Sequence, residues 1–252
     1  MSRKQKKNKK KKRPPPPPPP NPENYILINS KDGSYWRKKR GTDTPVTLND
    51  TLTRYNQLTA ITSPAAKYLK ELLTPFLHKI DTGRFIARVS ANLNKSHLSS
   101  GKFDLLSMFD YDFQDEEEMK TLMDESINVT LSGHEMKIRV AASHNAIHKK
   151  NSIVTQFFWD AIVVHGDPTI ENNLRIESDT SPVFNVDTTS KEYHTLSLFL
   201  PTRETSWMLI LKLSCFEGKE EAHHTRHYGM KVFAVGTASD TKVEMVRYTQ
   251  IA

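Results

Sequence analysis

Seven consecutive prolines, at positions 14–20, follow a block of thirteen residues that holds nine Lys/Arg and no acid. Neither segment can bury an apolar face: the like-charge block repels itself, and prolines lack the N–H groups that helices and sheets require. Whatever core this chain builds must come from the residues that follow. A second basic cluster, Trp36-Arg37-Lys38-Lys39-Arg40, closes the region. Residues 1–40 hold 14 Lys/Arg against Glu23 and Asp32, a net of +12, and the whole chain nets +7, so residues 41–252 net −5. The basic character belongs to an arm, and an arm so charged points to a polyanion or an acidic surface as partner.

The sequence reads as an α+β chain in three parts. Residues 1–45 are expected to be a disordered basic and proline-rich arm and linker, 46–125 a helical region, and 126–252 an antiparallel β-sandwich of about eight strands. The proline run should be polyproline II at about 3.1 Å per residue, roughly 20 Å of stiff spacer that holds the charged block off the body. Within the linker, 25–28 suits one short edge strand. Leu48, Leu52, Tyr55 and Leu58 recur at helical spacing. Ser63-Pro64 then reads as an N-cap followed by proline at the first helical position of a second helix, which Pro75 ends. Beyond the turn at Asp81-Thr82-Gly83, the stripe Phe85, Ile86, Val89, Leu93 predicts another helix.

From residue 126 the apolar period changes from helical spacing to two. Ile127, Val129, Leu131 and then Met136, Ile138, Val140 alternate with polar residues around Gly133-His134, the pattern of a hairpin with glycine first in its turn. Residues 154–164 are apolar on both faces and suit a central strand. Short strands are expected over 173–177 and 183–186, then a strand through Leu196, Leu198, Leu200. Trp207, Leu209, Leu211 and Leu213 share one face of a long strand. Strands over 230–235 and 243–248 complete the set. Many strands with no helices between them favour antiparallel sheets.

The residues expected to contact phosphate are Lys4, Lys6, Lys7, Lys9, Lys10, Lys11, Lys12, Arg13, Arg37, Lys38, Lys39 and Arg40. Clustered cations neutralise a phosphate backbone without reading its sequence. Trp36 and Tyr35 beside them could stack on bases. The chain is thus expected to be a non-enzymatic binding protein for RNA or DNA. The alternatives are a structural or assembly protein, with a protein partner or self-association through the sandwich, and a metal-dependent enzyme at His223, His224 and His227. The metal reading is weak, because Arg226 opposes a cation and no distant Cys/His partner has finger spacing; exposed loop histidines are the plainer expectation. The acidic run (Asp110, Asp112, Asp115, Glu116, Glu117, Glu118) lacks the glycine and terminal glutamate of a calcium loop and reads as solvated surface. Arg84 and Arg88 read as a solvated helix face.

No nucleophile elbow, phosphate-binding glycine loop or dinucleotide fingerprint occurs in the sequence, so no cofactor is implied. Cys215 is the lone cysteine. That excludes an intrachain disulfide and a cysteine zinc site, and its strand-like surroundings suit a buried thiol. No apolar run approaches the roughly 18–20 residues that span a bilayer, and proline follows the basic start where a signal peptide has its apolar segment. The expected location is cytoplasmic, or nuclear in a eukaryote.

Overall fold

A computed structural model describes residues 16–30, 33–39, 49–80, 82–109, 111–114, 127–142, 153–170, 172–186, 192–200, 206–222 and 227–237. The chain divides into two compact units, Met1–Arg54 and Tyr55–Ala252.

The first unit contains a hairpin of β1 (Tyr25–Ser30) and β2 (Gly33–Lys38), preceded by one 3-10 turn, Pro22–Asn24. This corrects the linker expectation, which allowed one short strand here. Ile26, Leu27 and Ile28 stand opposite Arg37, Trp36 and Tyr35 in register, so β-branched and aromatic strand formers pair directly. Gly33 has φ +135°, a backbone conformation that side-chain-bearing residues rarely adopt, at the turn joining the strands. Of the arm and linker, residues 16–30 and 33–39 are described. Residues 1–15 lie outside the described residues.

In the second unit, helices and antiparallel strands confirm the α+β class. Helix α1 (Asp50–Leu73), whose first turn belongs to the first unit, continues through Pro64. The expected cap at Ser63 is therefore not a cap. Proline at 64 removes only the bond to the Ala60 carbonyl, and both residues are exposed, so water can satisfy it. A 3-10 turn containing Pro75, Thr74–Phe76, ends the helix as expected. Helix α2 (Phe85–Ser100) ends at Gly101, whose φ of 73° is the left-handed cap glycine favours. Thr62 hydroxyl donates to Asn94 Oδ1 at 3.0 Å, and Ser90 hydroxyl to the Thr62 carbonyl at 3.3 Å, tying the two helices through small polar groups.

Strands β3 (Asn128–Ser132), β4 (Glu135–Ala141) and β8 (Tyr193–Phe199) form a three-stranded sheet in that order. The β3–β4 turn is the predicted one, with Gly133 at φ 60°. The larger sheet centres on β5 (Gln156–His165) and β9 (Ser206–Glu217), which pair along ten residues. The far edge of β5 is shared by β6 (Arg175–Thr180) and the two-residue β7 (Phe184–Asn185). The far edge of β9 is shared by β10 (Glu220–Glu221) and β11 (Tyr228–Thr237). The short β10 has no apolar signal and was not foreseen; the strand expected over 243–248 lies outside the described residues.

Side-chain parity along β9 explains the core. Trp207, Leu209, Leu211, Leu213 and Cys215 join a cluster with Trp159, Met136, Ile138 and Leu196, so the three-stranded sheet and one face of the larger sheet share apolar contacts. Met208 and Ile210 turn the other way and join Leu69, Leu73, Phe85, Val89 and Leu93 of the helices. Trp159 is fully buried, and its Nε1 donates to the Ala141 carbonyl at 3.1 Å, satisfying the one polar atom a buried indole carries. A strand buried on both faces is apolar along most of each, which is why β5 and β9 read as near-continuous hydrophobic runs, interrupted by Asp160, Lys212 and Ser214.

Candidate functional site

Of the predicted phosphate-contacting residues, the structure describes Arg37, Lys38 and Lys39, and all three are exposed. Lys4, Lys6, Lys7, Lys9 to Lys12, Arg13 and Arg40 lie outside the described residues. Alternation along the hairpin gives it two distinct faces. Ile26, Ile28, Tyr35 and Arg37 share one. Tyr25, Leu27, Trp36 and Lys38 share the other. Tyr35 is 49% exposed and sits two residues from Arg37 on the same face, so an aromatic ring and a guanidinium stand side by side toward solvent.

Trp36 behaves differently from the sequence expectation. It is half-buried, and its Nε1 donates to the carbonyl of Pro16 at 3.0 Å. The described part of the proline run, residues 16–20, is therefore joined to the hairpin at Pro16 and does not stand as a free spacer. The cause is chemical: a run of prolines is confined to polyproline II, which has no internal hydrogen bonds, so every carbonyl is open to an outside donor. That helix repeats every three residues, which places Pro16 and Pro19 on one edge; Pro19 is half-buried while Pro16, Pro17, Pro18 and Pro20 are exposed. The chain then reverses through the 3-10 turn, and Lys39 N–H donates to the Asn24 carbonyl at 2.7 Å. Ser34 hydroxyl donates to Asn29 Oδ1 at 2.6 Å across the strands.

A second polar group lies on the helix-facing side of the large sheet. Asp160 and Lys212 stand directly opposite in register, each about 6% exposed. Thr180 hydroxyl donates to Asp160 Oδ1 at 2.7 Å. Burial raises the Asp160 carboxyl above its usual range, against the lowering effect of the Thr180 hydrogen bond and the Lys212 charge. Burial lowers the Lys212 ammonium, against the raising effect of Asp160 and Glu221. Ser214, two residues along β9, has a buried hydroxyl with no hydrogen-bond partner among the described residues, so none of these is in place as a base to activate it. Cys215 faces the opposite cluster, and burial pushes its thiol up to about 12, so it is protonated and unreactive at neutral pH.

The histidine cluster resolves only in part. His223 and His224 lie outside the described residues, while His227 is fully buried with Nε2 3.5 Å from Glu217 Oε1, not exposed in a loop as expected. Among the described residues, no group of three or more His, Cys, Asp or Glu is placed to hold a metal. Two further expectations change. Arg88 turns inward: it donates to the Asp112 carbonyl and its guanidinium lies 4.9 Å from the Tyr111 ring centre. Asp112, read as solvated acid, is half-buried, and its segment pairs with β11 through Phe113 N–H to Met230 O and Val232 N–H to Tyr111 O. The rest of the acidic run lies outside the described residues.

A cleft of about 410 Å³ is lined by Lys102, Asp104, Gly166, Asp167, Thr169 and Ser206. Its carboxylates are consumed locally: Asp104 Oδ1 accepts from Leu106 N–H and Ser96 hydroxyl, and Asp167 Oδ1 from Thr169 N–H and hydroxyl. No helix among the described residues is long and apolar enough to cross a membrane. Comparison with protein-family models, with curated proteins and with solved structures finds no match for this chain.

Proposed function

We propose that this protein is a non-enzymatic binding protein whose basic N-terminal arm contacts RNA or DNA through phosphate charge, without sequence specificity. The observation that carries this reading is the hairpin, which presents Arg37, Lys38 and Lys39 to solvent with Tyr35 exposed beside Arg37. A cation next to an exposed ring serves a single strand twice, once at phosphate and once at a base face. The net charge of +12 over residues 1–40 supplies the long-range attraction. The second unit serves as the body carrying the arm, and its two sheets, which share one apolar cluster, are best described as an antiparallel β-sandwich.

The test is a labelled 20-nucleotide RNA, and the matching DNA, titrated with the full chain and with a chain lacking residues 1–40, between 50 and 200 mM salt. Each single-strand phosphate contact contributes a slope of about −0.7 to log K against log[salt], so six contacts lower affinity about 10²–10³-fold over that range. The full chain is expected to show such a slope and the shortened chain no binding. Equal binding by both chains, or none by either near physiological salt, overturns the reading.

A further inference from the structure

Within the second unit, the strands differ in how their outer edges are closed. Part of the β11 edge is covered by the segment 111–113, through Phe113 N–H to Met230 O and Val232 N–H to Tyr111 O. Strand β6 carries Arg175, Glu177 and Asp179. Asp179 Oδ2 accepts from Ser197 N–H at 2.9 Å, so the outer edge of β8 meets a carboxylate. Strands β7 and β10 are two residues long, and β10 is Glu220-Glu221. Charge, cover and brevity are the ordinary means by which a sheet edge is kept from pairing with another chain.

Strand β3 is left without these guards. Its five residues, Asn128-Val129-Thr130-Leu131-Ser132, hold no charge and no proline. Among the described residues, β4 is its one partner. The two-residue turn Gly133-His134 makes Ser132 and Glu135 a hydrogen-bonded pair, so by alternation Thr130 and Asn128 also bond to β4. The N–H and C=O groups of Val129 and Leu131 then point away from β4, four groups at the spacing a further strand requires. The Val129 and Leu131 side chains are buried in the apolar cluster, while Thr130 and Ser132 are exposed on the other face.

We propose that β3 is a self-association edge, which pairs antiparallel with β3 of a second copy about a two-fold axis at Thr130. In that register Val129 exchanges both backbone bonds with the second copy's Leu131, and Leu131 with its Val129, so all four outward groups are satisfied. Thr130 meets its own counterpart as a non-hydrogen-bonded pair, where side chains lie closest and threonines pair favourably. Asn128 stands opposite Ser132. The charge pattern selects a second copy as occupant: an uncharged strand opposite itself brings no like charges together, and Val129 meets Leu131 on the apolar face. The three-stranded sheet becomes six-stranded. Five residues a side make a small interface, so the association is weak, with a Kd on the order of 100 μM.

Two measurements on the full chain, without nucleic acid, test the pairing independently of what the arm binds. The first is sedimentation equilibrium between about 5 and 500 μM, a range chosen to bracket that affinity. Monomer is expected to give way to dimer. Thr130→Lys, which sets two ammonium groups opposite each other on an exposed face, should weaken the association about 10-fold or more and leave Tm within a few degrees of the parent's. The second fixes the register by oxidation. Non-hydrogen-bonded partners have Cα atoms about 4.5 Å apart, within disulfide range. Thr130→Cys is therefore expected to form a covalent dimer, whereas in Ser132→Cys the two thiols stand roughly 14 Å apart along the strands and should not join. Cys215 is buried, so the introduced thiol carries the reaction. A parent that stays monomeric across the range, or an association that Thr130→Lys leaves unchanged, overturns the proposal. So does equal cross-linking by Thr130→Cys and Ser132→Cys, or none by Thr130→Cys.

Discussion

At the scale of residues, Asp160 and Lys212 place two ionisable side chains opposite each other inside the core. A carboxyl raised above 3.8 by burial contributes stability below that pH, lost as pH rises through its folded value. An ammonium lowered from 10.5 contributes stability above that pH, lost as pH falls through its folded value. Burial disfavours both charges; at Asp160 it is offset by the Thr180 hydroxyl and then by Lys212, and at Lys212 by Asp160 and then by Glu221. Asp160→Ala is therefore expected to lose about 3–5 kcal/mol in urea unfolding at pH 7, because it strands a buried ammonium. Asp160→Ala combined with Lys212→Met should recover most of that loss. A double variant no more stable than the single one would show that the pair contributes packing, not compensated charge.

At the scale of elements, α1 shows what local signals can and cannot decide. Ser63-Pro64 has the composition of a helix start, yet the buried positions Leu58, Thr62, Ala65, Ala66, Leu69 and Leu73 continue on one face through it, and packing of that face prevails over the proline. Pro64→Ala, on the exposed side, restores a donor to the Ala60 carbonyl and is expected to stabilise the protein by about 1–2 kcal/mol, less than the full interior-proline penalty because proline also restricts the unfolded chain. A thermal melt lower than the parent's would show that the ring is needed where it stands. The strands were the most legible elements, because alternation in β3 and β4 and two-sided apolarity in β5 and β9 are set by burial that the residues themselves record. The hairpin face and the hydrogen bond from Trp36 to the Pro16 carbonyl were not legible. A bond between residues 16 and 36 leaves no periodic trace, and neither does the pairing of Asp160 with Lys212, which only the register of β5 on β9 brings together. Arg88 was misread for the same reason, since its partner at Asp112 is distant in sequence.

At the scale of the whole molecule, charge is divided unevenly between arm and body. The full chain, at +7, is expected to be held by a cation exchanger at pH 7, while a chain of residues 41–252, at −5, should pass through it and be held by an anion exchanger. Retention of both chains by the cation exchanger would mean that the body, too, presents a basic surface. The double burial of β9 has a consequence during synthesis. Its odd residues complete one apolar cluster and its even residues the other. Neither cluster can close until residues 206–217 have left the ribosome. At about 5–20 residues per second, Leu69 waits on the order of ten seconds or more for its cluster partner Ile210 to exist. Throughout that interval the cationic residues of 1–40 are already synthesised, so a growing chain carries their charge before it has a folded body.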